Sequence, residues 1–368
     1  MPHSWQEIMQ QAVRLRHQLH RQPELTWQEK NTSRLIREQL DQLGVAWRSC
    51  AEYGTLATLA ADAKGDHIGL RGDIDALPIE ELTDLPYRSE SPGCMHACGH
   101  DGHTAALWAT AAWLKAHEDR LPGPVTLLFQ PAEEGGHGAR KMIEEGALDG
   151  IDRIYGWHNW PAIPWGQAVC PNGPVMSGNG TFHITLTGKG GHASQPEICR
   201  DPVLAAAAVT LNLQQIVSRR LPPQSATVVS VASIEAPSAP TVTPETARIQ
   251  GSIRLAQPEL RPLVNELIEQ ITQDTARSYG VTAQVETVKR YEATINHAEP
   301  AAEYRQALEA ALGEHWQMQS LPLPIMASED FSYYLNEIPG AFALIGMARD
   351  DSYQAPCHSP HYQFNDDL

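Results

Sequence analysis

Residues 94–103 of this chain read CMHACGHDGH and contain two cysteines, three histidines and one aspartate. Thiolate, imidazole and carboxylate are the groups that bind zinc, manganese, cobalt or nickel in proteins. The spacing Cys98-Gly99-His100 lets both side chains turn toward one ion if the segment is a loop. We therefore predict a metal site that includes Cys98 and His100, whereas Cys94 and His103 are expected to pack around it or support it.

A pair of adjacent carboxylates, Glu133 and Glu134, follows the apolar segment 125–129. Just beyond a buried strand, one carboxylate can coordinate a metal while the other moves the proton of a metal-bound water. An isolated acidic pair is more often a solvated loop. The flanking glycines and the Cys/His segment upstream favour the catalytic interpretation here.

Three further histidines lie in glycine-rich or proline-rich surroundings. His158 follows an apolar strand predicted at 151–155, and His358 lies between Cys357 and Ser359-Pro360. Each alone would more often be an ordinary loop histidine, but a loop stiffened by proline loses less entropy when its side chain binds a ligand. His192, in the segment GGHAS at 190–194, could donate a hydrogen bond to a developing oxyanion. An exposed turn explains His192 equally well.

A closed structural zinc site is the alternative for the Cys/His segment, with Cys94, Cys98, His100 and His103 as its four ligands. Such sites usually combine two ligand pairs of matching spacing, and no second pair follows nearby. A non-catalytic zinc-binding protein is therefore the rival interpretation from a different functional class.

The chain has 368 residues, 42% of them hydrophobic, and a formal net charge of −17. This length suggests two domains, and this charge argues against a nucleic-acid partner because phosphates would be repelled. No apolar run reaches membrane-spanning length, and the N-terminal sequence lacks the apolar core of a signal peptide. The six cysteines are therefore expected to be reduced thiols or ligands in a cytoplasmic protein.

Helices and strands alternate around these residues. Hydrophobic periodicity predicts two helices within 4–43, strands at 56–60 and 67–71 joined by a turn at 64–66, a helix at 104–117, a strand at 125–129 and a helix at 139–145. Polar residues follow the strands, which is typical of an α/β domain whose site lies at the carboxyl edge of its sheet.

A different pattern begins near residue 178. It predicts strands at 181–186, 225–234, 246–255 and 283–288 and helices at 201–217 and 258–276, in the ferredoxin-like order β-α-β-β-α-β. A helix at 301–312 and a strand at 341–345 then resume the first pattern. We predict a three-layer α/β catalytic domain with a mixed sheet, formed by residues 1–177 and 291–368 and interrupted by an α+β lid domain at 178–290.

Eight segments spread over nearly the whole chain share a family resemblance. They are HRQPEL (20–25), RGDIDALP (71–78), MHACGHDGH (95–103), FQPAEEGGHGA (129–139), GWHNWP (156–161), GKGGHASQP (188–196), ASEDF (327–331) and CHSP (357–360). In content and order they resemble the M20 metallopeptidase family. They are most similar to its amidohydrolase subgroup of hippurate hydrolases, N-acyl-amino-acid deacylases and plant auxin-conjugate hydrolases. The resemblance is specific for the family and only weakly specific for the substrate.

The resemblance implies two divalent metal ions per subunit, which would be zinc, manganese, cobalt or nickel. The implied ligands are Cys98, His100, Glu134, His158 and His358, with the Cys98 thiolate as the bridge. It also implies Glu133 as the general base, His192 of the lid as the oxyanion donor, Asp75 as a support of the metal site, and a homodimer through the lid domain.

Arg254 matches the lid arginine that is expected to bind a substrate carboxylate. Two features depart from the family pattern. Residues 241–244 read TVTP where relatives usually read NVIP, so a threonine stands where relatives carry the asparagine whose amide often helps to bind substrate. The chain ends at Leu368 where relatives usually continue into a final helix, which is compatible with a truncated C-terminus.

The implied reaction is hydrolysis of the amide bond of a small N-acyl amino acid, such as an N-acetyl or N-benzoyl derivative, by a metal-activated water with Glu133 as the base. A small-peptide hydrolase, either a dipeptidase or an aminopeptidase with the same dinuclear centre, is the second enzymatic interpretation.

Overall fold

The computed structural model describes residues 4–368, which divide into two compact units. Unit 1 extends to Val175 and also includes Ile295–Pro322 and Asp330–Leu368, while unit 2 comprises Met176–Thr294 and Leu323–Glu329. The boundaries predicted from the sequence lie after residues 177 and 290. The segment Leu323–Glu329 groups with unit 2, where the backbone N–H of Ser177 lies 3.0 Å from the carbonyl oxygen of Ile325.

The helices and strands are given in chain order. The first set is α1 (Trp5–Arg21), α2 (Lys30–Leu43), β1 (Trp47–Cys50), β2 (Gly54–Leu59), β3 (Ile68–Asp73), α3 (His100–Ala116), β4 (Val125–Gln130), α4 (Gly138–Glu144), β5 (Arg153–Pro164), β6 (Ala168–Val169) and β7 (Gly173–Met176). The second set is β8 (Gly178–Thr187), β9 (Gly191–His192), α5 (Pro202–Leu213), β10 (Thr227–Glu235), β11 (Val242–Thr243), β12 (Thr246–Leu255), α6 (Arg261–Ser278), β13 (Thr282–Lys289), β14 (Thr294–Asn296), α7 (Ala298–Leu312), α8 (Ser332–Glu337) and β15 (Gly340–Ala348).

Unit 1 contains a seven-stranded sheet in the order β1-β2-β4-β3-β5-β15-β6. Strand β3 is parallel to β4 and β5, and β5 is parallel to β15, whereas β2 is antiparallel to β1 and β4. The predicted mixed sheet of an α/β fold is thus confirmed. Although a turn joins β2 to β3, β4 lies between them, because β3 pairs with parallel neighbours on both sides.

The helices of unit 1 bury their apolar faces against this sheet. In α1, Ile8, Ala12, Leu15 and Leu19 recur at helical spacing and are all buried. Ser4 and Glu7 form a capping box that starts this helix. Helix α3 is buried over most of its surface, as its Ala, Leu and Trp content requires. This packing fixes the N-terminus of α3, where the Cys/His segment ends.

Unit 2 contains a four-stranded antiparallel sheet in the order β10-β12-β8-β13. Along the chain its main elements follow the order β8-α5-β10-β12-α6-β13. One apolar cluster that includes Phe182, Ile249 and Ile268 joins the sheet to both helices. Among residues 4–368, none of the helices combines the length and the apolar character that a bilayer span requires.

The structure corrects the environment predicted for His158. Strand β5 continues well beyond the predicted segment 151–155, so His158 lies inside a strand and pairs with Leu344 of β15 rather than following a strand in a loop. Proline at position 161 does not end the strand. Proline cannot donate a hydrogen bond to a neighbouring strand. Strand β3 pairs with β5 only as far as Tyr155, so Pro161 removes no hydrogen bond between these two strands.

Candidate metal centre

The five predicted ligands of unit 1 converge from four parts of the chain. Cys98 lies in the loop before α3, His100 begins that helix, Glu134 follows β4, His158 lies in β5, and His358 lies in the C-terminal segment. Ligand atoms of Cys98, His100 and His158 lie within 4.8 Å of one another, as do those of Cys98, Glu134 and His358. The structure therefore brings together two ligand groups that share the thiol of Cys98.

The ligand atoms point toward one another, and two of them have no hydrogen-bond partner. The Sγ atom of Cys98 lies 3.3 Å from Nε2 of His158, and Nε2 of His358 lies 3.1 Å from Oε1 of Glu134. The latter contact lacks hydrogen-bond geometry, and both Glu134 Oε1 and the buried Nε2 of His100 have no hydrogen-bond partner. Buried polar atoms are nearly always satisfied, so these atoms fit a bound divalent cation.

The electrostatics of the site also favour a cation. Burial lowers the pKa of His100, but the charges of Asp73, Asp75 and Glu134 and a hydrogen bond with Asp75 outweigh this effect and raise the pKa to about 10. Burial lowers the pKa of His158 well below its ordinary value, which keeps that imidazole neutral and able to act as a ligand. The donor set of thiol, imidazole and carboxylate suits a divalent transition metal.

Asp75 connects two of the ligands. The Nδ1 atom of His100 lies 2.9 Å from the carbonyl oxygen of Asp75 and 3.2 Å from its Oδ1 atom, which turns Nε2 of the same ring toward the cluster. The Oδ2 atom of Asp75 accepts hydrogen bonds from the backbone N–H of Glu134 at 2.9 Å and from the hydroxyl of Thr26 at 2.8 Å. Such contacts orient ligands and raise their basicity.

Glu133 lies beside the cluster but is not a member of either group that shares Cys98. One of its carboxylate oxygens is within 4.8 Å of ligand atoms of His100 and Glu134. The side chain is buried, and its Oε1 atom accepts a hydrogen bond from the backbone N–H of Asp330 at 3.3 Å. A carboxylate so placed can act on a water molecule bound at the centre.

Apart from His103, the members of a buried network behind the ligands escaped the sequence analysis. The Arg71 guanidinium donates to Asp73 at 2.6 Å and to Asp330 at 2.9 Å. Nδ1 of His103 lies 2.5 Å from Asp73, and Nε2 of His103 lies 2.7 Å from Oδ1 of Asn159, which neighbours His158. Burial acts to raise the pKa of Asp73, but Arg71, His100 and His103 keep it well below its usual range. The sequence signal that could have found them is their place in the segments that resemble the M20 family, namely 71–78, 156–161 and 327–331.

The position of Cys94 argues against the zinc-knuckle interpretation, because among the described residues Cys94 belongs to no group of ligand atoms within 4.8 Å of one another, whereas His103 forms such a group with Asp73 and His100. The Cys94 thiol lies 3.5 Å from the carbonyl oxygen of Pro23, and both ring nitrogens of His103 are occupied by the Asp73 and Asn159 contacts. The knuckle would therefore lack Cys94 as one of its four ligands.

A second buried charge cluster holds the start of α3. Arg16 donates to Asp101 at 2.9 Å, and Nδ1 of His20 lies 2.8 Å from the same carboxylate, next to His100 in the sequence. Burial acts to lower the pKa of His20, but Asp101 and Glu81 raise it to about 9. Both α1 residues thus hold the first turn of α3.

His192 and Arg254, the other two predicted site residues, belong to unit 2. His192 is exposed in β9, opposite Val242 of β11, and its Nδ1 atom lies 2.8 Å from the Ser194 hydroxyl and accepts the Ser194 N–H at 3.2 Å. Arg254 in β12 is partly buried and donates to the Ser328 hydroxyl at 2.9 Å. Burial, together with the nearby Arg290, lowers the pKa of Arg254. Their catalytic roles remain predictions.

Comparison with known proteins supplies a family. The model of peptidase family M20/M25/M40 matches residues 69–368. The chain is 37% identical over 361 residues to IAA-amino acid hydrolase ILR1-like 5 of Arabidopsis thaliana, covering 97% of this chain and 82% of that protein. It is 39% identical over 351 residues to N-acetyl-L-cysteine deacetylase of Bacillus subtilis strain 168, covering 95% and 83%. A solved dinuclear metal binding peptidase of the M20 family from Bacillus subtilis superposes with a TM-score of 0.84 at 31% identity, covering 98% and 94%.

Proposed function

Since this chain belongs to peptidase family M20/M25/M40 and is a metal-dependent amidohydrolase, we propose that it releases the acyl group from an N-acyl amino acid. The observation that carries the proposal is the pair of ligand groups that share Cys98, with Glu133 beside them. The two relatives are named for an IAA-amino acid and for N-acetyl-L-cysteine. Both names describe an acyl group joined to the nitrogen of an amino acid.

We assign one divalent cation to each ligand group. Cys98, His100 and His158 would hold the first, and Cys98, Glu134 and His358 would hold the second. When bound, such ions polarise the substrate carbonyl and lower the pKa of a bound water. The donor set is compatible with zinc, manganese, cobalt or nickel.

Glu133 is the proposed general base. It takes the proton of the attacking water as the C–O bond forms and returns that proton to the nitrogen as the C–N bond breaks. The products are a carboxylic acid and an amine, which share the remaining proton on release to give a carboxylate and an ammonium group, so one residue serves both proton transfers. Its position outside the two ligand groups and its burial support this role.

We propose that unit 2 is a ferredoxin-like lid on a three-layer catalytic domain and that His192 and Arg254 bind the substrate. Because Nδ1 of His192 accepts the Ser194 N–H, the proton of the neutral ring lies on Nε2. That N–H is a ready donor for a developing oxyanion. Arg254 offers a bidentate guanidinium to a substrate carboxylate.

A homodimer through unit 2 is the proposed assembly. Helix α5 exposes Val203, Leu204 and Leu211, the last of them with 73% of its surface accessible. Exposed apolar residues seven positions apart form a stripe of the kind that packs on another helix.

Six free cysteines support a reducing, cytoplasmic location.

Metal analysis combined with a substrate panel tests the proposed function. The purified protein should contain two divalent ions per chain and cleave N-acetyl or N-benzoyl amino acids faster than dipeptides. Preferential cleavage of dipeptides would establish the small-peptide hydrolase instead. A metal-loaded protein that cleaves neither class would overturn the proposal.

A further inference from the structure

The turn between α1 and α2 holds the loop that carries Glu133. Three hydrogen bonds join the turn to the loop, namely Trp27 Nε1–H to the Gly136 carbonyl at 3.1 Å, the Thr26 hydroxyl to the Glu134 carbonyl at 3.3 Å, and the Ala132 N–H to Oε1 of Glu29 at 2.8 Å. The third differs from the others because its acceptor is a carboxyl group with no exposed surface.

Helix capping and stability do not account for the burial of Glu29. Glu29 occupies the N-cap position of α2, but its side chain makes no capping hydrogen bond, and its Oε2 atom has no hydrogen-bond partner. Burial, together with the charge of Asp75, raises the pKa of this carboxyl to about 8. Burying such a group opposes folding, so its presence calls for a role at its one partner on the loop, Ala132.

Ala132 has an unusual backbone conformation directly before Glu133. Its φ is 56°, in the left-handed region that residues with a side chain rarely adopt. Such strain persists only where the surroundings hold it. The Ala132 N–H is held by Glu29, and its carbonyl accepts the N–H of Gly138, the first residue of α4, at 3.0 Å. The conformation at Ala132 sets the direction in which the chain leaves β4 and presents Glu133.

We propose that Glu29 is a positioning residue whose carboxyl oxygen holds the left-handed turn at Ala132 and thereby aims Glu133 at the attacking water. The inference rests on the proposed function of Glu133 as general base. A displacement of about 1 Å at a reacting group can lower a rate about 100-fold. Glutamine can accept the same hydrogen bond, whereas methionine fills a similar volume without a comparable acceptor.

The test compares E29Q and E29M in the metal-loaded enzyme. We expect kcat within about threefold of the wild-type value for E29Q and about 100-fold lower for E29M, with KM and metal content unchanged. Amide hydrogen exchange of segment 130–138 is a readout that needs no turnover, and it should accelerate in E29M but not in E29Q. Unchanged exchange in E29M, or a loss of kcat in E29Q equal to that in E29M, would overturn the proposal.

Glu24 provides a matched control on the same turn. Its carboxylate accepts the backbone N–H groups of Asn31 and Thr32 in the first turn of α2. E24M should therefore lower thermal stability while leaving kcat near the wild-type value. A kcat loss in E24M as large as that in E29M would show general loosening of the turn and contradict the inference.

Two further measurements keep the test decisive. If E29M does not fold, E29D withdraws the carboxyl by one methylene, and we expect about tenfold lower kcat with faster exchange. Wild-type kcat and exchange in E29D would count against the proposal. Failure of the base assignment can be told apart from failure of this inference. A wild-type kcat in E133Q would show that Glu133 is not the base, whereas hydrogen exchange in the Glu29 variants would still report on the bond between Glu29 and Ala132.

Discussion

The backbone N–H of Glu134 donates to the carboxylate of Asp75 at 2.9 Å, and the other oxygen of that carboxylate lies 3.2 Å from Nδ1 of His100. One buried aspartate therefore sets the orientation of a ligand from each of the two groups that share Cys98. Its contribution to metal binding should exceed that of an aspartate that does not contact a ligand.

Replacing Asp75 with asparagine should weaken metal binding about 10-fold to 100-fold, because the amide is uncharged and its single oxygen cannot accept from both His100 and the Glu134 N–H. Competition with a chelator measures the affinity. The control is Asp62→Asn, at an exposed position. Equal metal affinity in the two variants would show that Asp75 does not support the centre.

Replacing Glu133 with glutamine should leave both ions bound and lower kcat about 100-fold to 10,000-fold, because an amide cannot accept the proton of the attacking water. Metal analysis and steady-state kinetics on the same sample separate the two effects. Glu134→Gln is the matched variant, and it should lose metal as well as activity. Near-normal turnover by Glu133→Gln would refute the base assignment.

Replacing His192 with phenylalanine should lower kcat about 100-fold to 1,000-fold with a smaller change in KM, because a donor to the developing oxyanion is removed. His183→Phe, on an exposed position of β8 in the same unit, provides the comparison. The oxyanion role is excluded if both histidine variants show the same kinetics.

The buried His20 should make the stability of the enzyme depend on pH. Its folded-state pKa is about 9, above the ordinary value of 6.5, so its stabilising contribution is complete below pH 6.5 and is lost as the pH rises through 9. At about 1.36 kcal/mol per pH unit, this difference of about 2.5 units is on the order of 3 kcal/mol. Denaturant unfolding of the wild type and of His20→Gln at pH 6 and pH 10 measures it. An identical pH dependence in both proteins would contradict this attribution.

Replacing Leu211 with glutamate should convert the proposed dimer to a monomer, because a charge would be buried in the apolar interface on α5. Light scattering coupled to size-exclusion chromatography measures the mass. Leu82→Glu places the same charge at an exposed site of unit 1 and should leave the mass unchanged. If the wild-type protein is already monomeric, the proposed homodimer is wrong.

The chemistry of the centre could be predicted from the sequence because ligand type is a property of the side chain itself. Cys98 and His100 stand in a short segment whose composition indicates metal binding, and that segment favoured the same interpretation for Glu134. The α/β character of unit 1 was predictable for a similar reason, since hydrophobic periodicity shows where strands and helices form. The environment of His158 could not be predicted, because the length of β5 depends on how far the neighbouring strand β15 pairs with it.

Apart from Asp75, which the family resemblance implied, only the tertiary structure decided which buried groups support the ligands. Arg71 and Asp330 are 259 positions apart, and no local pattern links them, yet their ion pair lies behind Glu133. The partner of Glu29 was equally hidden, because its bond to Ala132 spans 103 positions. Sequence specifies the donors and acceptors that are available, but strand order and burial determine which of them meet, because a polar group removed from water must find its partner wherever the fold places one.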